Sequence, residues 1–151
     1  MSRYLAGTLV LLATAALAAP AHGQVTTHAQ YVDEVNPICK DFRGDAKRAQ
    51  KKAGGRGDPT TVFIRKTVAF QRVFKRTVNR IADVERPAET AEDITRWVKG
   101  LKQQKRLIDR FIAAAKRRQA LRSVQLGKRV AKVEGRNGNR AKRLDLDRCA
   151  G

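Results

Sequence analysis

Apolar residues recur along the chain at spacings of three and four, the period of an amphipathic α-helix. Over residues 27–53 they are Tyr31, Val35, Ile38, Phe42, Ala46 and Ala49. Pro37 interrupts this stretch. A proline inside a helix removes a backbone hydrogen bond and costs about 3 kcal/mol, unless Asn36 caps a helix that begins at Pro37. The pattern therefore predicts a first helix with either a kink or a new start at Pro37.

A second helix is predicted to begin at Asp58-Pro59, an acidic N-cap followed by proline in the first turn, and to end before Pro87. A glycine-rich loop precedes it, because continued helix is costly where glycines cluster. At about 100° per residue the apolar side chains fall on one arc, opposite an arginine-rich arc. The predicted core-facing residues are Phe63, Phe70, Phe74, Val78 and Ile81.

The third helix is predicted from near Ala88 to about Arg118, with an apolar seam broken only by Gln104 and Lys105. A fourth is predicted from about Ser123 to residue 143, where three glycines weaken the pattern and leave a break over residues 135–139 open. Four amphipathic helices joined by short loops predict an all-α fold, an antiparallel up-down four-helix bundle.

The first 23 residues have the layout of a secretory signal peptide: a basic start at Arg3, an apolar run and small residues before a cleavage point. Cleavage is predicted before Gln24, with His22 as the alternative first residue of the mature chain. The other possibility is an uncleaved membrane anchor, but the run is shorter than the ~20 residues that span a bilayer. Residues 24–151 are then one secreted domain.

The two cysteines, Cys39 and Cys149, have no C-x-x-C motif and no histidine partner nearby. In a secreted chain such a pair predicts one disulfide. An up-down bundle places the start of its first helix beside the end of its fourth, so the C-terminal tail is predicted to be linked to the first helix. The alternative, two reactive thiols, lacks a surrounding redox motif.

A resemblance accompanies these cysteines. The patterns Tyr31-x7-Cys39 and Ala141-x2-Leu144-x-Leu146-x2-Cys149 resemble those of uncharacterised small secreted or lipoprotein helical proteins of high-GC actinobacteria. The resemblance implies a four-helix body with one cysteine in the first helix and one in the tail, and it implies no catalytic residues. Relatives commonly have glycine where this chain has Asp145, and aspartate is among the few other residues that tolerate a left-handed turn. Leu144 and Leu146 are predicted to pack against the bundle.

The charge of the chain bears most directly on its partners. The chain carries 33 Lys and Arg against 14 Asp and Glu, a net charge of +19, and residues 96–148 hold 18 of the basic but only 4 of the acidic residues. Such a surface attracts polyanions and resists self-association, so a monomer is expected. The predicted polyanion-binding residues cluster on and around the fourth helix: Arg117, Arg118, Arg122, Lys128, Arg129, Lys132, Arg136, Arg140, Lys142 and Arg143. A solvated face that reflects compositional bias toward arginine is the competing interpretation.

The sequence offers few residues that could catalyse a reaction or hold a metal or cofactor. With two histidines in the chain and no serine–histidine pairing, nothing favours an enzyme, a metal site or a cofactor. Asp109 and Glu134 are isolated acids, predicted to form ion pairs with neighbours such as Arg106 or Arg110.

Three functions follow from these patterns. The first is an exported, non-enzymatic bundle that binds anionic envelope polymer or an anionic lipid surface. The second is a nucleic-acid-binding protein, which the export signal and the lack of aromatic residues among the arginines disfavour. The third is a carrier with a cavity between helices near Trp97, Phe74 and Phe111.

Overall fold

The computed structural model describes residues 26–150, so the predicted signal peptide and its cleavage site before Gln24 lie outside it. Within this part the chain folds into four long helices and two short 3₁₀ turns. In chain order they are α1 (His28–Gly54), α2 (Pro59–Asp83), a 3₁₀ turn (Ala88–Thr90), α3 (Ala91–Lys116), α4 (Ala120–Arg143) and a second 3₁₀ turn (Asp147–Cys149). None of these helices is long and apolar enough to cross a membrane.

The helices form two hairpins, α1 with α2 and α3 with α4, which pack through α2 and α3. We call one end of the bundle the tail end, because it holds the start of α1, the connection from α2 to α3 and the C-terminal tail. The other, the turn end, holds the α1–α2 loop (residues 55–58) and the α3–α4 turn (residues 117–119). The predicted all-α four-helix bundle is confirmed.

α1 begins at a capping box, in which the Thr27 hydroxyl accepts from the Gln30 amide while the Gln30 side chain accepts from the Thr27 amide. It then continues as one helix through Pro37, so the predicted new start there is wrong. Asn36 does not cap a helix; its side chain bonds the C-terminal tail instead. Burial of side chains on both sides of Pro37 stabilises the helix against the loss of one backbone hydrogen bond.

α4 is continuous through residues 135–139 and starts three residues earlier than predicted, at Ala120. Val133, Asn137 and Ala141 are buried along this stretch, and their packing outweighs the low helix propensity of the glycines. Gly138 has a packing role of its own, because a Cβ atom there would lie 2.8 Å from the carbonyl oxygen of Ala150.

The tail is held where the sequence predicts. Asp145 is left-handed, with φ of 55°, and the amide of Leu146 bonds the Ala141 carbonyl at 2.9 Å, which is the Schellman ending of a helix. Leu146 is fully buried, as Leu144 nearly is. The predicted disulfide joins Cys39 to Cys149, whose Cα atoms lie 5.1 Å apart.

The core is concentrated toward the tail end. Its large residues come from the first half of α1, the second half of α2 and the first part of α3, and they include Tyr31, Val35, Val78, Ile81, Ile94 and Trp97. Fewer large side chains are buried toward the turn end, although Ile108 and Leu126 are. Phe63, predicted to face the core, is 54% exposed and touches Phe111 edge to face, with ring centroids 6.0 Å apart.

A buried polar pair joins the two helices of the second hairpin. The side-chain amide of Asn137 donates to Gln104 Oε1 at 3.1 Å, so Gln104, which breaks the apolar seam of α3, is part of the interior. Gly100 makes room for this pair, because a Cβ atom there would lie 2.1 Å from Asn137 Oδ1. The close approach of α3 and α4 therefore depends on glycine at position 100.

We expect Gly100→Ala to destabilise the fold by about 1–3 kcal/mol, because the added methyl overlaps the Asn137 amide and displaces it from its buried hydrogen bond to Gln104. The matched change Gly135→Ala, also inside a helix but with no atom of residues 26–150 within 4 Å of the new methyl, should stabilise it by about 0.5–1 kcal/mol. Urea unfolding of both variants and of the parent measures these two changes in the free energy of unfolding. Equal effects from the two changes would contradict the close approach at Gly100.

Tyr31 carries a buried hydroxyl with no hydrogen-bond partner among the described residues. Burial disfavours the phenolate and raises the pKa of Tyr31 from 10.0 to about 12, although the nearby Arg86 charge opposes the rise. As the pH rises, the phenol of Tyr31 therefore loses its proton in the unfolded chain before it does so in the folded chain. The contribution of Tyr31 to the free energy of unfolding is fully present below pH 10 and is lost as the pH rises toward about 12.

Tyr31→Phe should remove this alkaline loss of stability and, at neutral pH, raise the free energy of unfolding by up to about 1 kcal/mol, because an unpartnered buried hydroxyl disappears. The measurement is urea unfolding of both proteins at pH 7 and at several values above pH 9. A variant less stable than the parent at pH 7 would show that the hydroxyl is hydrogen-bonded in solution.

Candidate polyanion-binding face

α4 carries eight basic side chains and one acidic side chain, Glu134. Six of the eight follow one another at steps of three, four or seven residues, which places them on one side of the helix. We call this set the cationic face: Arg122, Arg129, Lys132, Arg136, Arg140 and Arg143.

The cationic face lies next to the buried side of α4. Leu126, Val133 and Ala141 turn inward, and the cationic face lies beside them on the flank of α4 that shares two surface recesses with α3. Its side chains are exposed apart from Arg140, which is half-buried. The Arg140 guanidinium donates to the backbone carbonyl of Arg96 in α3, with Nη1 and O 3.5 Å apart. The face therefore borders the seam between α3 and α4.

No residue of the cationic face lies within ion-pair distance of a carboxylate in the chain from residue 26 to residue 150. Glu134 lies elsewhere on the helix and lines a cavity between the helices. Unpaired cations on one face are compensated only by mobile ions, and a polyanion that replaces those ions gains the free energy of their release. The arrangement suits a polymer or surface of closely spaced negative charges.

α3 adds two cations that sequence reasoning missed, Arg96 and Arg110. Arg110 lines a recess of about 210 Å³ together with residues of α4, among them Arg122 and Arg129. Arg96 lines a second recess of about 190 Å³ beside Arg140, but it also pairs with two acids on its own helix. Their spacing places both arginines on one side of α3, yet only the antiparallel packing of the hairpin brings them beside the cationic face.

The other four predicted residues lie apart from the cationic face. Lys128 and Lys142 are exposed farther round α4. Arg117 and Arg118 lie in the α3–α4 turn, where Arg118 is left-handed with φ of 56°. The structure thus brings six of the ten predicted residues onto one face.

The isolated acids do not pair as predicted. Asp109 accepts a hydrogen bond from Gln71 in α2, and neither Asp109 nor Glu134 forms an ion pair among residues 26–150, so the predicted pairing with Arg106 or Arg110 is wrong. In the same residues no group of three or more His, Cys, Asp or Glu side chains is placed to hold a metal ion.

A cavity of about 140 Å³ lies between the helices next to the disulfide. Phe74 and Trp97 line it as predicted, whereas Phe111 lies outside it, at the turn end. Cavities of this size can hold a benzene-sized molecule. The Trp97 indole N–H has no hydrogen-bond partner among the described residues. A small-ligand carrier therefore stays a prediction.

The cationic face is thus a product of helical spacing in α4 and of the packing of α3 against it. It contains no aromatic side chain on which a nucleic-acid base would stack. The chain matches no protein-family model, and no curated protein and no solved structure is significantly similar to it.

Proposed function

We propose that the mature protein is an exported, non-enzymatic, monomeric bundle that binds a phosphate-rich polyanion of the cell envelope through its cationic face. The ligand chemistry is closely spaced negative charge, as presented by anionic lipid headgroups or by a phosphate-bearing envelope polymer. The tail and its disulfide hold α4 in place, and so position the face.

One observation carries this proposal: six cations share a face of α4 that has no acidic residue of its own and forms no ion pair within residues 26–150. Asp93 of α3 lines a recess with Arg140 and Arg143, but its carboxylate is paired with Arg96. A surface whose arginines served only solubility would be expected to carry interspersed acids, as α3 does with Glu92 and Asp93 next to Arg96. A net charge of +19 also draws the protein toward negative surfaces at long range.

Nucleic acid is the competing polyanion. It would also displace mobile ions from the face, but α4 has no aromatic residue, and a secreted chain meets envelope polyanions first. We therefore place DNA among the outcomes of the test.

The test measures binding of residues 24–151 to four partners at about 0.05 M salt, where screening is weak. They are vesicles of phosphatidylcholine alone, vesicles that also contain phosphatidylglycerol, linear polyphosphate and duplex DNA. Binding to the anionic vesicles or to polyphosphate, weakened by added salt, is the expected result. Binding to neither would end the proposal, and a clear preference for duplex DNA over both would replace it.

A further inference from the structure

We propose that the turn end of the bundle docks on an anionic lipid bilayer by inserting Phe63, Leu121 and Val124 between cationic side chains that contact the headgroups. The inference rests on the proposed function and goes beyond it, because it assigns lipid binding to the turn end, which shares only Arg122 with the cationic face.

The exposed apolar side chains are all at one end of the molecule. Among the described residues the large apolar side chains that stand in solvent are Leu121, 83% exposed, Val124, 58% exposed, and Phe63, 54% exposed. Leu121 and Val124 lie in the first two turns of α4, and Phe63 lies in the second turn of α2. All three therefore belong to the turn end, the opposite end from the main core.

A groove of about 800 Å³ opens beside Phe63, between the start of α2, the end of α3 and the start of α4; Leu121 and Val124 lie at the same end but do not line it. Its apolar wall includes Phe63, Ile64, Phe111, Ala115 and Ala120. Most of the large core residues lie toward the tail end. The space between the two hairpins at the turn end is therefore left partly open, which forms the groove. It leaves apolar surface open to an acyl chain or to the interfacial region of a bilayer.

The charges around this end match an anionic bilayer. Arg65, Lys116 and Arg118 line the groove, and Asp58 is the one acidic residue that does so. The Asp58 carboxylate is engaged as the N-cap of α2, where its hydrogen bonds to Thr61 lower its pKa. Residues 51–66 and 116–124 together hold nine Lys and Arg against that single acid. Apolar side chains ringed by long cationic ones are characteristic of protein segments that lie in the membrane interface.

Two other occupants of the groove fit less well. A second copy of this chain would bring two surfaces of the same high positive charge together. The chain's own N-terminus enters α1 at the tail end, and α1 is about 40 Å long. After cleavage before Gln24 only a few residues precede α1, too few to return along its length.

The first experiment compares two versions of the same pair of sites, with Phe63 left unchanged because it packs on Phe111. Leu121→Ser with Val124→Ser makes the sites polar, and Leu121→Met with Val124→Ile keeps them apolar. We expect the polar pair to weaken binding to phosphatidylglycerol-containing vesicles at least about tenfold, and the apolar pair to leave it unchanged. Both should bind polyphosphate as the parent does, since no charge has been altered.

The second experiment places a reporter. Leu121→Trp and Ala131→Trp put an indole on exposed positions of α4 about ten residues apart, both in the background of the buried Trp97. In vesicles that contain brominated lipid, quenching should be strong for Leu121→Trp and weak for Ala131→Trp, because only the first position lies at the inserted end.

Three results would overturn the inference. Polar and apolar pairs that bind vesicles equally well, or equally poorly, would show that apolar character at these sites does not drive binding, while intact polyphosphate binding would leave the proposed function standing. Equal quenching at both positions would show that the bundle does not dock by its turn end. A parent protein that binds neither vesicles nor polyphosphate would remove the inference and the proposed function together.

Discussion

Removing the disulfide by Cys39→Ala with Cys149→Ala should lower the free energy of unfolding by about 4–5 kcal/mol. The two cysteines are 110 residues apart, so the bond closes almost the whole described chain into one loop and removes much of the conformational entropy of the unfolded state. Domains of this size are typically stable by about 5–15 kcal/mol in total. Loss of this bond should therefore leave the bundle near its unfolding threshold.

Noncovalent contacts also hold the tail, and they determine how firmly it stays bound to the bundle once the disulfide is reduced. Leu146 is fully buried, the Arg43 guanidinium donates to the carbonyl of Arg148 at 2.8 Å, and the Asn36 side chain bonds the tail backbone at two places. The tail should thus remain docked in the folded fraction, and the effect of the disulfide should appear mainly in the unfolded chain.

Urea unfolding of the parent, of the reduced parent and of the double variant measures this effect. Alanine is preferred to serine, because Cys39 is buried and a serine hydroxyl there would add the cost of an unpaired polar group. The reduced parent and the double variant should agree within about 1 kcal/mol. A double variant as stable as the oxidised parent would contradict the proposed role of the bond.

Neutralising four residues of the cationic face should weaken binding to linear polyphosphate at least about 100-fold at low salt. Each cation that replaces a condensed counterion contributes on the order of 1 kcal/mol at this salt concentration, and each 1.4 kcal/mol corresponds to a factor of ten in affinity. The suitable changes are Arg122→Gln, Arg129→Gln, Lys132→Gln and Arg136→Gln, because glutamine preserves helix propensity while removing the charge.

The matched control neutralises four exposed cations on the outer side of α2, with the changes Arg72→Gln, Lys75→Gln, Arg76→Gln and Arg80→Gln. Both variants lose the same net charge, so long-range attraction falls equally in the two. Only the α4 variant should show a large loss of affinity together with a shallower dependence of log affinity on log salt. Equal losses would show that the protein binds through its overall charge and has no dedicated face.

Much of the fold follows from local signals. Spacings of three and four in the apolar residues predict the four helices, and Asp58-Pro59 sets the start of α2 because capping is decided within a few residues. Asp145 adopts the left-handed conformation that was expected for it, because that requirement belongs to a single residue at the helix end.

Pro37 and Gln104 show where local signals are insufficient. A proline favours a helix break, but burial of Val35, Ile38 and Cys39 around it keeps α1 continuous, and that burial comes from partners distant in the chain. Gln104 is polar in an otherwise apolar seam, and only its contact with Asn137 in α4 makes it a core residue.

For the cationic face, too, some features follow from local helical spacing and others depend on tertiary packing. Six residues of α4 share a face because helical geometry fixes their directions, and the sequence alone determined that positive stripe. The Cys39–Cys149 disulfide was also predicted from the sequence, and it is confirmed. Only the tertiary structure placed Arg110 beside the cationic face and exposed Phe63 by concentrating the core at the tail end. Helical periodicity is a property of neighbouring residues, whereas register between helices depends on how all four pack at once.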